Sequence, residues 1–356
     1  VNQSNQGVLD RQIDRPWEIF FYFVVAIVLS SAALCSAPAT RAAESSKPDT
    51  GDSCILVPGT SSKRQRVLSF PKDYSLGEIV VSPYPPKGRD QEMRGAAKGT
   101  IVVAAGKMVK FIPAAHFYKN PSIVNTMAPD SFDSILVAAV SLDNSEEGMC
   151  DRALSYVGHL KGLVELSLDR SEATDKGAMH AAELPNLQRI TAQQAALEGK
   201  CFKQFAALKQ LQSLNLPRNC LKDENLQYLG LLPQLKCLSI SHCGISDAGV
   251  KYLANCKNLM TLNLENNPKI TDQSIKYLLS LKKLRYLRIA DTSITAKGVL
   301  PLKGLPLIWL NLPSKNISPS QLKDIQKAMP GVGVVATTDG QRHVDEDTEA
   351  IFAPMH

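Results

Sequence analysis

From Val137 to Val335 one arrangement of apolar positions recurs: an apolar residue at positions 1, 4 and 6 of a short run, and a small or polar residue at position 9. The runs begin at Val137, Leu163, Leu187, Leu211, Leu235, Leu259, Leu284 and Leu307, in steps of 26, 24, 24, 24, 24, 25 and 23 residues. A period in the low twenties marks a solenoid, whose units cannot bury their apolar faces alone and must stack. Within each unit, alternation at positions 4 to 6 predicts a short strand, with Leu238 and Ile240 inward and Ser239 outward to solvent. Val250 and Leu253, or Ile275, Leu278 and Leu281, recur at helical spacing and predict a helix on the opposite side. Stacked in one sense, such units form an α/β solenoid whose parallel strands, about 4.8 Å apart, build a curved strip about 35 to 40 Å long.

Position 9 carries Ser145, Ser171, Ala195, Asn219, Cys243, Asn267, Thr292 and Lys315. A small hydrogen-bonding side chain inside a tight turn can satisfy backbone groups that the sheet leaves unpaired. Ala195 and Lys315 cannot do so in that way, which predicts two loose coils. Ser246, Thr271, Thr295 and Ser318 stand where helix N-caps belong, and Ser318-Pro319-Ser320-Gln321 adds proline at the first helical position and glutamine at the third.

The best copies read Leu235-x-x-Leu238-x-Ile240 and Leu259-x-x-Leu262-x-Leu264, followed by Cys243 or Asn267 and then by Ile245-Ser246-Asp247 or Ile270-Thr271-Asp272. This resembles the leucine-rich repeat family, and within it the cysteine-containing type, whose pattern is met by Cys256, Leu259, Leu262, Leu264, Asn267, Ile270, Thr271 and Asp272. The resemblance implies a solenoid that presents its concave sheet to a partner, and it implies no chemistry.

The flanks have other textures. Ile19 to Ala39 is an almost unbroken apolar run that follows Arg11 and Arg15 and ends in Ala37-Pro38-Ala39. Small residues at the first and third of those positions fit a signal-peptidase site, and the run is also long enough to span a bilayer. Residues 1–42 are therefore expected to be a signal peptide or a membrane anchor, placing the protein in the periplasm or cell envelope. Residues 43–65 have a linker composition. Val67–Phe70, Ile79–Val81, Thr100–Val103 and Met108–Ile112 read as strands of a small β unit over 66–125, docked on the first coil as a cover for the open solenoid end. FPKDYSLGEI with a later GTIVVAAGK resembles the segment preceding the repeats in exported planctomycete leucine-rich repeat proteins. The solenoid is expected over 126–336, closed by a strand containing Val332, Val335 and Thr337, and the acidic segment 337–356 as a frayed tail.

The formal net charge is +6, and residues 43–125 hold twelve Lys or Arg against seven Asp or Glu, densest at Lys63-Arg64-Gln65-Arg66. Such a surface could face anionic lipid or cell-wall polymer, but no aromatic platform is interleaved, so a solvated basic loop is the simpler reading and nucleic acid is not expected. Cleavage after Ala39 would leave seven of the eight cysteines, an odd number, and Cys243 and Cys256 occupy repeat positions where a thiol packs. Most cysteines are thus read as reduced core residues. A metal site at Cys237, His242 and Cys243 fails because Cys237 faces outward and Cys243 inward.

The six histidines are scattered, there is no nucleophile elbow or phosphate loop, Gly331-Val332-Gly333 reads as a turn, and Glu165 and Asp169 earn no catalytic role by proximity alone. No enzyme, cofactor or metal is expected.

Outward column 5 reads Ser141, Ser167, Thr191, Asn215, Ser239, Asn263, Arg288 and Asn311, a wettable polar ladder. Around it stand Arg189, Arg218, His242, Glu265, Tyr286, Arg288 and Trp309, the candidate partner-binding residues; Tyr286, Arg288 and Trp309 gather on the last coils and are side-chain types that anchor interfaces. The expected function is a non-enzymatic interaction protein for a protein or cell-envelope polymer. An adaptor of ubiquitin-type machinery, as when such repeats follow an F-box, and a polysaccharide-acting enzyme sited in the β unit are the alternatives.

Overall fold

The computed structural model describes residues 63–83, 92–138 and 148–337, all within the compact unit Gly51–His356. The expected leader or anchor, nearly all of the linker and all but the first residue of the tail lie outside the described residues.

Fourteen strands are found among them: β1 (Arg66–Ser69), β2 (Gly77–Pro83), β3 (Met93–Ala96), β4 (Thr100–Val103), β5 (Lys107–Pro113), β6 (Ser134–Leu136), β7 (Glu165–Ser167), β8 (Arg189–Thr191), β9 (Ser213–Asn215), β10 (Cys237–Ser239), β11 (Thr261–Asn263), β12 (Tyr286–Arg288), β13 (Trp309–Pro313) and β14 (Gly333–Thr337). Twelve form one sheet in the order β14 to β5 and then β2 and β3, while β1 and β4 pair separately. From β5 to β14 every neighbouring pair is parallel. This is an α/β leucine-rich-repeat solenoid, and Leu238, Ile240, Leu262 and Leu264 are fully buried as the pattern requires.

The first coil is not where the repeat was counted. Ile135 pairs with Leu166, so Phe132, Ile135 and Val137 are its positions 1, 4 and 6. Val137 therefore ends the run that it was expected to begin, and Leu136, not Ser141, occupies outward column 5. The true step to Leu163 is 31 residues, and an apolar Val137-x-x-Val140-x-Leu142 happens to mimic the pattern one strand late. Ser141 and Ser145 lie outside the described residues.

The β-rich segment extends this same sheet, with Phe111 of β5 paired in parallel with Ile135. Phe70, Phe111 and Phe132 stack with centroids 5.0 to 6.3 Å apart, and Phe117 meets Phe111 edge-on at 5.5 Å, closing the open end of the core. Arg66 donates to the Lys107 carbonyl at 2.7 Å and pairs at 2.8 Å with Asp133, which also accepts from the Val109 amide. Part of the basic run is therefore a buried clasp between the β segment and the first coil, and only Lys63 and Arg64 remain as exposed cations. The expected strands are present. An unexpected one, β3, is exposed at every position and so carried no apolar signal.

On the convex side the connections are shorter than the expected helices. Several are single α-helical turns, such as Phe202–Phe205, and Asp223–Leu231 is 3-10 helix throughout. A unit of about 24 residues, after its strand and turn, leaves room for little more.

Three-residue strands leave many buried backbone groups for side chains to satisfy. Asn267 accepts from the amides of Cys243 and Ile245 in the preceding coil and donates to the carbonyls of Ile240, Leu264 and Glu265. Asn219 does the same for the coil containing Ala195, bonding the Leu197 amide and the Ala192 carbonyl. In the last coil Asn316, next to Lys315, reaches the carbonyls of Thr292 and Ile294. Neither coil is loose, because a neighbouring residue supplies the missing bonds.

A second ladder joins the convex connections. Asp151 accepts from the amide and hydroxyl of Thr174, Asp223 from those of Ser246, Asp247 from those of Thr271, and Asp272 from those of Thr295, at 2.5 to 3.1 Å. Each N-cap hydroxyl also accepts an amide of its own first turn, as the sequence indicated for Ser246, Thr271 and Thr295. Two residues beyond the ladder Asp position stands Gly177, Gly249 or Gly298, and a Cβ there would collide with Asp151, Asp223 or Asp272 of the previous coil. Where serine replaces that glycine, Ser274, its hydroxyl donates to Asp247. Ala296 ends the ladder, and Ser318 is capped locally by Gln321.

The strand-exit turns share one more feature. Arg170, Gln194, Arg218, His242, Asn266 and Asp291, with φ from 51° to 60°, all stand at position 8 of their coils. In five of them the amide donates to the position 7 carbonyl of the next coil at 2.7 to 3.0 Å, adding a rung beyond the strand. The left-handed conformation costs a non-glycine residue about 1–2 kcal/mol, and the added rung offsets it.

Alanine at Gly249 tests the convex ladder by the sign of its effect. Helix propensity alone would make it stabilising by about 0.5–1 kcal/mol, whereas collision with the Asp223 carboxylate should make it destabilising by about 1–3 kcal/mol. Urea denaturation of Gly249→Ala distinguishes the two.

Candidate interaction surface

The outward strand positions divide into two regions. Over β7 to β11 they are sealed except at half-buried Asn215: Ser213 and Cys237 are 1% exposed, Ser239 3% and Asn263 7%. The expected wettable ladder is absent there, because strands about 4.8 Å apart shade small side chains from water. Cys237 is disulfide-bonded, so the reduced reading does not extend to it. Arg189 is drawn into this region, buried with its guanidinium 4.0 Å from Glu165, which also accepts from Ser134. Burial lowers the Arg189 pKa and Glu165 opposes the shift. Asp169 accepts from Ser167, Thr191 and the Gln193 amide, a structural role.

The second region lies on the last coils. Tyr286 and Trp309 are register partners on adjacent strands, both half-buried, with Arg288 two residues beyond Tyr286 on the same face. Glu265 stands 4.0 Å from Arg288 and accepts from Asn311 at 2.7 Å, and Asn311 in turn accepts from Thr337. The network thus runs from the turn after β11 across β12 and β13 to β14 and holds the guanidinium on the face that carries the two aromatic residues. Trp309 has a second duty. Its ring lies on Gly333, where a Cβ would strike it, so this glycine makes room for the indole. Gly333 follows Trp309 by one 24-residue step; continuing the count would have revealed a strand where the glycines read as a turn. The final strand was foreseen, but its inward residue is Val334, not Val335.

Of the remaining candidates, Arg218 is exposed and His242 half-buried, both on strand-exit turns beyond the strands. The structure brings together Glu265, Tyr286, Arg288 and Trp309, and does not bring Arg189 to them.

Among the described cysteines, Cys150, Cys201, Cys243 and Cys256 are free and buried, and Cys220 is free and exposed. Burial pushes the Cys243 and Cys256 thiols up to about 12. The Cys243 thiol donates to the Leu216 and Ser241 carbonyls, doing with sulfur part of what Asn267 does with its amide. Among the described residues no cluster of His, Cys, Asp or Glu could hold a metal ion, and no helix is long and apolar enough to cross a membrane.

The family model described as Leucine Rich repeat matches residues 233–254 and 255–279. Residues 233–279 thus match two leucine-rich repeats. These matched residues hold the two best copies, while the cysteine-containing subtype and the likeness to planctomycete proteins have no counterpart in the match. Similar solved structures include an internalin from Listeria monocytogenes (20% identity, 60% of this chain and 62% of that chain, TM-score 0.43). Another is internalin C2 from the same organism (21% identity, 63% of this chain and 89% of that chain, TM-score 0.41). The chain thus spans less than two thirds of the first of these. No curated protein matches it.

Two measurements check the site's chemistry. Alkylation of the native chain at pH 8 should modify Cys220 rapidly and Cys243 and Cys256 hardly at all, and denaturation without reductant should expose both to labelling; a disulfide at either would contradict the packed-thiol geometry. Burial also raises the Glu265 pKa above its ordinary value, against the lowering effects of Arg288, Asn311 and Asn263. The folded chain then holds this proton at a pH where the unfolded chain has lost it, so the group's contribution to stability falls as pH rises from about 4 through the raised value. Thermal melts should show a smaller loss of stability over that rise in Glu265→Gln than in the parent.

Proposed function

We propose that the protein is a non-enzymatic interaction module of the cell envelope that binds a protein partner on the outward face of its last coils. The observation that carries this reading is the pairing of half-buried Tyr286 and Trp309 on adjacent strands beside Arg288, at the end of a sheet whose earlier outward positions are buried apart from Asn215. A guanidinium held by Glu265 and aromatic groups already half-buried on the sheet lose little freedom when a partner desolvates them, and these residue types are enriched among interface anchors. The leucine-rich repeat match supports a binding role, and the apolar run 19–39 supports export or anchoring.

Envelope proteins retained by the immobilised full chain should be lost from the triple variant Tyr286→Ala, Arg288→Ala, Trp309→Ala. Each truncated anchor is expected to cost about 2 kcal/mol or more of binding. Because Trp309 also covers Gly333, the double Tyr286→Ala, Arg288→Ala variant separates binding from stability. Equal capture by the double variant and the parent would refute the assignment.

A further inference from the structure

A second surface of different chemistry lies along the edge where the strands begin. The turns that enter β7 to β13, residues 160–164, 184–188, 208–212, 232–236, 256–260, 281–285 and 305–308, contain seven Lys or Arg and no Asp or Glu. That edge alone carries +7, more than the net charge of the whole chain, which is +6. At its carboxy-terminal part the turns enclose a groove of about 510 Å³, lined by Lys236, Lys282, Lys283 and Arg285 with Pro233, Met260 and Pro306 between them, and by no carboxylate.

The groove is built rather than incidental. Lys236, Met260 and Arg285 hold the same position of successive coils, because the residues that follow them pair as Cys237, Thr261 and Tyr286. Two rungs of a parallel sheet separate Lys236 from Arg285, about 10 Å. Lys283 donates to Asn258 at 2.7 Å, and Asn258 donates to the Pro233 carbonyl at 2.8 Å, so this ammonium is held at the rim by a neighbouring coil. None of the four cations forms an ion pair among the described residues, although the convex side carries the carboxylates of Asp223, Asp247 and Asp272.

We infer that this edge binds a linear polysaccharide bearing sulfate or phosphate groups. Cations repeated along a rigid sheet edge match charges repeated along a stiff chain, and a sulfate or phosphate can offer oxygens to several cations at once, including the arginine fork. The floor of proline and methionine gives the sugar rings apolar contact. No aromatic side chain lines the groove, so it lacks the stacking platform that single-stranded nucleic acid uses.

Calorimetric titration of the full chain with a sulfated heparin octasaccharide tests the site, with an uncharged dextran, polyglutamate and a single-stranded oligonucleotide as comparisons. The sulfated sugar should bind, and its affinity should fall about tenfold or more between 50 and 200 mM salt, as for other contacts made with a polyanion. The variant Lys236→Gln, Lys282→Gln, Lys283→Gln, Arg285→Gln should lose most of the affinity and of the salt dependence. Its melting temperature should hardly change, since these side chains lie at the surface. Lys63→Gln, Arg64→Gln, which removes exposed cations elsewhere, should bind like the parent. Absence of binding by the parent, equal binding by the quadruple variant, or tighter binding of polyglutamate or the oligonucleotide would overturn the inference. Because the site excludes Tyr286, Arg288 and Trp309, its failure and that of the proposed protein-binding face are separately visible.

Discussion

Everything in this fold depends on satisfying backbone groups that its strands are too short to pair. A strand of three residues offers its neighbours only a few main-chain bonds, and the turns on either side lie at the edge of a dry core. An unsatisfied buried amide or carbonyl costs about 1–3 kcal/mol, so a coil with several of them could not persist. The chain meets the demand in three places: by the inward Asn219 and Asn267, by the convex line of aspartates, and by the left-handed residues that add one rung past each of five strands. All three connect one coil to another, and the inward asparagines also bond carbonyls of their own coil.

That arrangement explains which features were legible in the sequence. The inward leucines, the parallel sheet and the N-caps are local and periodic, so a one-dimensional pattern shows them. The aspartates after the N-caps were visible as part of the repeated Ile-Ser/Thr-Asp phrase, but their role needs the adjacent coil, about 24 residues away. The same holds for Gly249 and Gly298, whose ordinary helical backbone gives no reason for glycine until the carboxylate of the previous coil is in place. The first coil was misplaced because an insertion broke the period while a chance apolar triplet preserved the pattern, and only pairing between Ile135 and Leu166 distinguishes them.

The candidate surface was legible in part. Outward positions follow from alternation, which placed Tyr286, Arg288 and Trp309 on one face. Alternation says nothing about exposure, however, and the small residues of β7 to β11 are shaded by one another while larger ones emerge. Arg189 was lost to the set because its partner Glu165 lies a strand away. The cationic strand-entry edge was written in the sequence as an absence of acids at fixed positions of the repeat, a signal that total charge conceals.

The convex aspartate ladder has a direction: each carboxylate receives the start of the coil that follows, and at Ala296 the sequence exchanges this for a self-contained cap at Ser318. A coil of the Ser/Thr-Asp-x-Gly kind therefore carries one socket and one plug, identical in kind to those of its neighbours. Duplicating or deleting such a unit in the gene would join plug to socket without altering either end of the molecule, so the array can change length by whole coils while its two terminal covers stay as they are.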